Sequence, residues 1–171
     1  MMTATIKRIL VPVDFSAPAL EALDYAIEFG RPFKAEIVVL HVVDLVYPMA
    51  GEMYATGYTL GLVSEELRRA GREQLARLAA TLKKRHVAIR PMLSVGTAYD
   101  AIVGTASKIK ADMIIMSTHG RTGLSRVLMG SVAASVVRSA RCPVLTVRGG
   151  KQLAVRPRRR RPAGHRRTTR R

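Results

Sequence analysis

The chain has 171 residues, 48% of them hydrophobic and 5% aromatic, so it can bury a sizeable and mainly aliphatic core. Its single cysteine excludes an internal disulfide, and no apolar run approaches the ~20 residues of a membrane-spanning helix, so we expect a cytoplasmic protein without a membrane partner. The net charge of +17 is uneven: residues 151–171 hold ten of the 29 bases and no acid, which leaves 19 bases against 12 acids, a net of +7, in residues 1–150.

The first unit of the chain reads as a buried strand followed by an amphipathic helix. Residues 6–13 form a nearly continuous apolar run, which is typical of a strand covered on both faces in a parallel sheet. Ser16 can cap the helix that follows, Pro18 suits its first turn, and Gly30 ends it. Its apolar stripe recurs at spacings of three and four residues, at Leu20, Leu23 and Ile27.

The second unit contains another buried strand, a long connection and a long helix. Glu36–Val43 is almost wholly apolar and predicts the strand. Residues 44–61 are rich in glycine and tyrosine and predict an irregular segment, and loops of that length often carry function. The helix that follows has an apolar stripe at Val63, Leu67, Leu75, Leu78 and Leu82.

The third unit begins with a less regular strand at residues 87–95. Pro91 favours an edge of the sheet for this strand, because proline cannot donate a backbone hydrogen bond. Thr97 and Asp100 have the spacing of a capping box and predict the start of a third helix. The stripe of that helix is formed by Ile102, Ala106 and Ile109.

The last unit completes an alternation of strands and helices. Residues 112–117 and 143–147 predict strands, and residues 132–140 predict the helix between them. The alternation predicts an α/β fold: a doubly wound, five-stranded parallel sheet with right-handed crossovers and helices on both faces. We assign residues 1–149 to this domain and residues 150–171 to a disordered arginine-rich tail, which cannot form a core.

Two polar segments follow the first and fourth strands, where ligands of doubly wound sheets bind. Residues 12–16 leave the first strand, and residues 117–131 leave the fourth and end with Gly130 and Ser131 at a helix start. Glycines let the backbone approach a ligand, and free N–H groups at a helix start favour an anion. Residues 117–131 therefore predict a pocket for nucleotide phosphates, although the glycine spacing matches neither a P-loop nor a dinucleotide-binding loop.

Several polar side chains in this region have two interpretations. Asp14 accepts ribose hydroxyls or serves as a cap or turn residue, and Ser131 binds a phosphate oxygen or caps its helix. His119 donates to a phosphate or lines the loop, whereas His41, inside the second strand, is expected to be a hydrogen-bonded structural residue. We expect Cys142 to be a small buried hydrophobe. No spacing of His, Cys and carboxylate residues predicts a metal site built from protein ligands.

Three sequence blocks resemble the universal stress protein family over roughly residues 5–148. They are ILVPVDFS, LHVVD and STHGRTGLSRVLMGSVAASVVRSARCPVLTVR. The nucleotide-binding branch of the family carries Gly-x2-Gly-x9-Gly-Ser/Thr, to which Gly120, Gly130 and Ser131 correspond, while Ser117 stands in place of the first glycine. The resemblance implies the strand order 3-2-1-4-5 and a homodimer formed through the fifth strand, which as an apolar edge strand would need covering.

The resemblance also implies ATP as the ligand, with ADP or AMP as alternatives and Mg²⁺ bound only through the nucleotide. Pro12, Val13 and Asp14 would hold the adenosine end, and Val42 would lie against the adenine. The rest of the expected site comes from the end of the fourth strand and from the phosphate-binding residues, namely Met116, Ser117, His119, Gly120, Arg121, Thr122, Gly130, Ser131 and Val132.

These features favour a nucleotide-binding regulatory protein of the stress response, with other functions as alternatives. A slow ATPase or nucleotidyl transferase is less favoured, because the nucleotide-transferring relatives of this fold carry an HxGH-type motif where residues 13–16 stand here. A nucleotide-free interaction module has Ser117 as its support. The arginine-rich tail could bind nucleic acid or an acidic partner, or be a solvated extension; it lacks aromatic residues that would stack on bases.

Overall fold

The computed structural model describes residues 5–44, 57–119 and 129–149, with only the backbone described for residues 57–63. The described residues form a five-stranded parallel sheet in the order β3-β2-β1-β4-β5, which confirms the predicted topology. The strands are β1 (Arg8–Pro12), β2 (Glu36–Val43), β3 (Ile89–Val95), β4 (Met113–Ser117) and β5 (Val144–Val147). The helices between them are α1 (Ala17–Gly30), α2 (Gly57–Leu82), α3 (Ala98–Lys108) and α4 (Ser131–Ser139), with single 3-10 turns at Arg31–Phe33 and Lys83–Arg85.

The sheet divides the core into two layers, as the continuous apolar runs predict. Successive side chains of a strand point to opposite faces, so neighbours in one run belong to different layers. In β1, Ile9 and Val11 pack with α1 and α2, whereas Leu10 packs with α3 and α4. The same alternation separates Ile115 from Ile114 in β4. Both faces of the central strands are therefore buried, which requires helices on both sides.

Pro91 lies in β3, which is an edge strand as its proline predicts. The residue stands opposite Val39 of β2, the only neighbouring strand that β3 has in the order of the sheet. An edge strand has one side without a ladder partner, so the missing N–H of proline costs no hydrogen bond there.

Two strands begin later than the sequence pattern predicts. β1 begins at Arg8 rather than at residue 6, and β3 begins at Ile89 rather than at residue 87. At the start of β1, the backbone N–H groups of Lys7 and Arg8 both donate to Asp112 Oδ2, each over 2.8 Å. A side chain thus takes the place of strand pairing at this end of the run.

The long helix differs from its prediction at its start and in its stripe. α2 begins at Gly57, so residues 57–61 are helical rather than irregular, while residues 45–56 lie outside the described residues. Leu75 and Leu82 are buried as predicted, but Leu67 is 44% exposed and does not belong to the buried stripe. Gly71 takes the position that faces the sheet one turn later: a Cβ there would lie 3.1 Å from His41 Cδ2.

Candidate functional site

The two segments singled out from the sequence meet because β1 and β4 are adjacent in the sheet. Leu10 pairs with Ile114, and the two strands run parallel, so they end at the same edge. The strand order reverses between them, since β1 also pairs with β2 while β4 leads outward to β5. A cavity of about 240 Å³ lies at this edge. Its position is the one that doubly wound sheets use for ligands.

Most of the expected binding residues line this one cavity. The end of β1 and β2 supplies four of its walls, and the end of β4 and the start of α4 supply the rest. The expected residues among its lining are Pro12, Val13, Asp14, Val42, Met116, Ser117, His119, Gly130, Ser131 and Val132. The expected phosphate contacts Gly120, Arg121 and Thr122 lie outside the described residues.

The cavity also has walls that the sequence did not indicate. Ala98 and Ile102 of α3 line it, as do Thr118 and Leu40. The capping signal at Thr97 predicts where α3 begins along the chain, but nothing in the sequence says that this end lies above β1 and β4. With Val42 and Met116, these residues give the cavity an apolar side opposite its polar side chains.

The turn that follows β1 is held on both sides of Val13. The N–H of Val13 donates to the carbonyl of Leu40 over 2.8 Å, and the ring of His41 lies 2.9 Å from the Val13 carbonyl through Nδ1. Because a carbonyl can only accept, Nδ1 of His41 carries the hydrogen. The structural role expected for His41 is confirmed. The ring of Phe15 packs on the same histidine, with 4.6 Å between centroids.

Asp14 takes the turn role that was one of its two interpretations. Its Oδ1 accepts the N–H of Ser16 over 3.0 Å and the Ser16 hydroxyl over 2.5 Å. Ser16 is the N-cap residue of α1, but its side chain makes no cap bond to that helix, because the hydroxyl is given to Asp14. The next residue, Phe15, has φ of 63°, an unfavourable conformation for a bulky side chain. The turn is thus held in a strained shape that leaves Asp14 lining the cavity.

The exit from β4 is organised by the side chain that replaces glycine. The Ser117 hydroxyl donates to the carbonyl of His119 over 2.8 Å, and Thr118 Oγ1 lies 2.9 Å from His119 Nδ1. Nε2 of His119 is buried and has no hydrogen-bond partner within the described part of the chain. A buried polar atom without a partner is costly, and a ligand oxygen in the cavity would satisfy it.

Gly130 brings the start of α4 against the end of β4. Its N–H donates to the carbonyl of Thr118 over 2.8 Å, and a Cβ on Gly130 would lie 3.1 Å from that oxygen. Gly130 is the N-cap residue of α4, so Ser131 is the first helical residue and not the cap, which leaves its other interpretation. The cap position therefore has no side chain that could accept from the first-turn N–H groups of α4.

Two helices direct their N-termini at the cavity. Gly130 and Ser131 of α4 line one side, and Ala98, the first residue of α3, lines the other. Thr97 is the N-cap of α3 as predicted, but neither helix has a side-chain cap hydrogen bond, so the capping box is not formed. Free N–H groups and the positive ends of two helix dipoles favour an anion between them.

Other kinds of site find no support in the described residues. Residues 5–44, 57–119 and 129–149 contain no group of three His, Cys, Asp or Glu residues placed to hold a metal ion. Within the same residues, no helix has the length and apolar character to cross a membrane.

Comparison with known proteins gives one family. The sequence profile of the universal stress protein family matches residues 5–148. Universal stress protein MJ0531 of Methanocaldococcus jannaschii is 40% identical over 146 residues, which cover 85% of this chain and 84% of that protein.

Solved structures share the fold over nearly their whole length. Protein MJ0577 of the same organism matches with a TM-score of 0.74 and 28% identity, covering 86% of this chain and 99% of its own. A universal stress protein of Archaeoglobus fulgidus, solved in complex with dAMP, matches with a TM-score of 0.59 and 23% identity, covering 83% and 98%. With this fold, this cavity and a profile match over residues 5–148, the chain belongs to the universal stress protein family.

Proposed function

We propose that the chain binds an adenine nucleotide, ATP, in the cavity between β1 and β4, and that binding serves a regulatory role in the stress response. The observation that carries the proposal is the uncapped N-terminus of α4, which faces Asp14 across one cavity. The cavity measures about 240 Å³ over the described residues, near the lower end of the ~300–1,000 Å³ of small-molecule sites.

Each part of a nucleotide has a matching wall. The apolar residues Leu40, Val42 and Met116 suit the face of a base, and Asp14 is an acceptor for ribose hydroxyls. The start of α4 at Gly130 and Ser131 suits the phosphates. Adenine as the base is implied by the family. Any Mg²⁺ would be held by the phosphates, which are its usual partners in nucleotide sites.

Isothermal titration of the full chain with ATP, ADP and AMP tests the proposal. We expect saturable binding of ATP, and the order of the three affinities reports how many phosphates the start of α4 contacts. Absence of binding at millimolar concentration of all three would leave the nucleotide-free interaction module as the better account. Nucleic-acid binding by the arginine-rich tail stays a prediction from composition, because residues 150–171 lie outside the described residues.

A homodimer through β5 is the second part of the proposal. β5 lies at an edge of the sheet, and Leu145 in its middle is 37% exposed. An apolar edge strand invites pairing with another strand, and a second copy offers an identical one.

We expect Leu145→Lys to convert the dimer to a monomer, since a charge on an edge strand opposes strand pairing. Sedimentation-equilibrium centrifugation measures the change directly. Leu67→Lys is the matched control, because Leu67 is an exposed leucine on α2 and should leave the dimer intact. A wild-type monomer, or a Leu145→Lys dimer, would contradict the proposed interface.

A further inference from the structure

A second cavity, of about 230 Å³, lies at the opposite edge of the sheet, where β4 and β5 begin. It is bounded by the end of α3 and by the turn between α4 and β5. Its lining residues are Ala106, Ser107, Lys110, Ala111, Arg141 and Cys142. None of them lines the cavity between β1 and β4, so the two sites are separate.

The two cations of this cavity have no carboxylate partner. Elsewhere in the described chain, arginines such as Arg8, Arg72 and Arg85 form ion pairs with carboxylates. Lys110 and Arg141 have no described carboxylate within the 4.0 Å of an ion pair. Their positive charge is therefore available to an external anion.

Cations near the end of a helix often serve to neutralise its free carbonyls. At the end of α3 those carbonyls are already used. Ile109, Ala111 and Lys110 donate their N–H groups to the carbonyls of Thr105, Ala106 and Ser107, over 2.9, 2.9 and 3.1 Å. The carbonyl of Ile109 accepts from the guanidinium of Arg8. The side chains of Lys110 and Arg141 are not needed for this capping.

The surroundings add little negative charge. Asp112 is the last acid of the chain, and its Oδ2 accepts the backbone N–H groups of Lys7 and Arg8. Burial, with a smaller effect from Asp112, raises the pKa of the Cys142 thiol, so this side chain is neutral at physiological pH. Beyond Asp112 the sequence has five bases up to residue 149 and ten more from 151 to 171, with no acid.

We propose that this second cavity is a phosphate-binding site, in which Lys110 and Arg141 supply the charge and Ser107 supplies a hydroxyl donor. Lysine and arginine are the usual protein partners of phosphate. The phosphate belongs either to a nucleic-acid backbone or to a small phosphate compound. The acid-free composition beyond Asp112 favours the nucleic acid, because a continuous positive surface releases counterions from a polyanion.

The test uses the full chain, a fluorescent 20-base-pair DNA duplex and a salt series. The double variant Lys110→Gln/Arg141→Gln removes both charges. The control Lys83→Gln/Lys84→Gln removes two exposed lysines at the end of α2, on the other face of the sheet. We expect the first variant to lower the slope of log K against log salt by about 1.8, at ~0.9 for each phosphate contact, and the control to leave it nearly unchanged.

Titration of the same proteins with pyrophosphate distinguishes the small compound from the nucleic acid. Pyrophosphate binding that is lost in Lys110→Gln/Arg141→Gln and kept in the control, with equal DNA slopes, would assign the site to a small phosphate. Binding of either ligand in the other cavity is common to both variants and cancels in the comparison. Equal behaviour of the two variants towards both ligands, or no binding of either ligand by the wild type, would overturn the proposal.

Discussion

Gly130→Asp should weaken ATP binding by at least about 100-fold, or ~2.7 kcal/mol, while the chain stays folded. The substitution places a carboxylate at the N-cap of α4, where the phosphates are expected. A capping aspartate satisfies the first-turn N–H groups itself and repels the phosphates, so one change removes the donors and adds a like charge. Isothermal titration measures the loss of affinity, and thermal unfolding shows whether the fold persists.

Gly130→Ala separates the size of the new side chain from its charge. A Cβ at this position would lie 3.1 Å from the Thr118 carbonyl, which also accepts the N–H of Gly130, so little room exists for either oxygen or Cβ to move. The φ of −58° is accessible to alanine, and we therefore expect a loss of no more than about tenfold. If Gly130→Asp bound ATP as tightly as the wild type, the phosphates would not lie at the start of α4.

His41→Phe should lower both the free energy of unfolding and the affinity for ATP. Phenylalanine keeps a ring against Phe15 but cannot donate to the carbonyl of Val13, a residue that is only 4% exposed. A buried carbonyl left without its donor costs about 1–3 kcal/mol. The freed carbonyl lies beside Asp14 in the wall of the nucleotide cavity, so the loosened turn should weaken binding as well.

His41→Asn is the matched variant, because its side-chain amide can donate from nearly the same position as Nδ1 while the ring contact is lost. We expect it to recover most of the ATP affinity but not all of the stability. Urea unfolding and isothermal titration on the same samples separate the two effects. Unchanged ATP affinity in His41→Phe would mean that the hydrogen bond supports the fold but does not position the binding turn.

Much of the fold follows from patterns that short stretches of the sequence contain. The apolar run at Glu36–Val43 coincides with β2 over its whole length, since a strand buried on both faces has no polar alternation to blur its ends. Pro91 identifies an edge strand through its missing N–H. The start of α2 was missed because Gly57 and Gly61 read as loop residues, although they lie in the helix.

The candidate site was partly accessible in the same way. Asp14 and Gly130 stand at strand and helix ends, which hydrophobic patterns and glycine spacing indicate. Ala98 and Ile102 were missed, because small or aliphatic residues at a helix start carry no signal of the cavity they line. The pairing of Lys110 with Arg141 at one cavity was equally invisible, since the two residues belong to different connections.

The sequence by itself determined the elements of this protein, their parallel arrangement and the two segments that carry ligand-binding chemistry. These depend on hydrophobic period, on the backbone limits of glycine and proline, and on caps, all of which act within a few residues. Only the tertiary structure decided which elements share a wall: α3 above β1, His41 against Val13, and Lys110 beside Arg141. Such contacts depend on strand order, register and helix packing, which are set by the whole core and not by any local pattern.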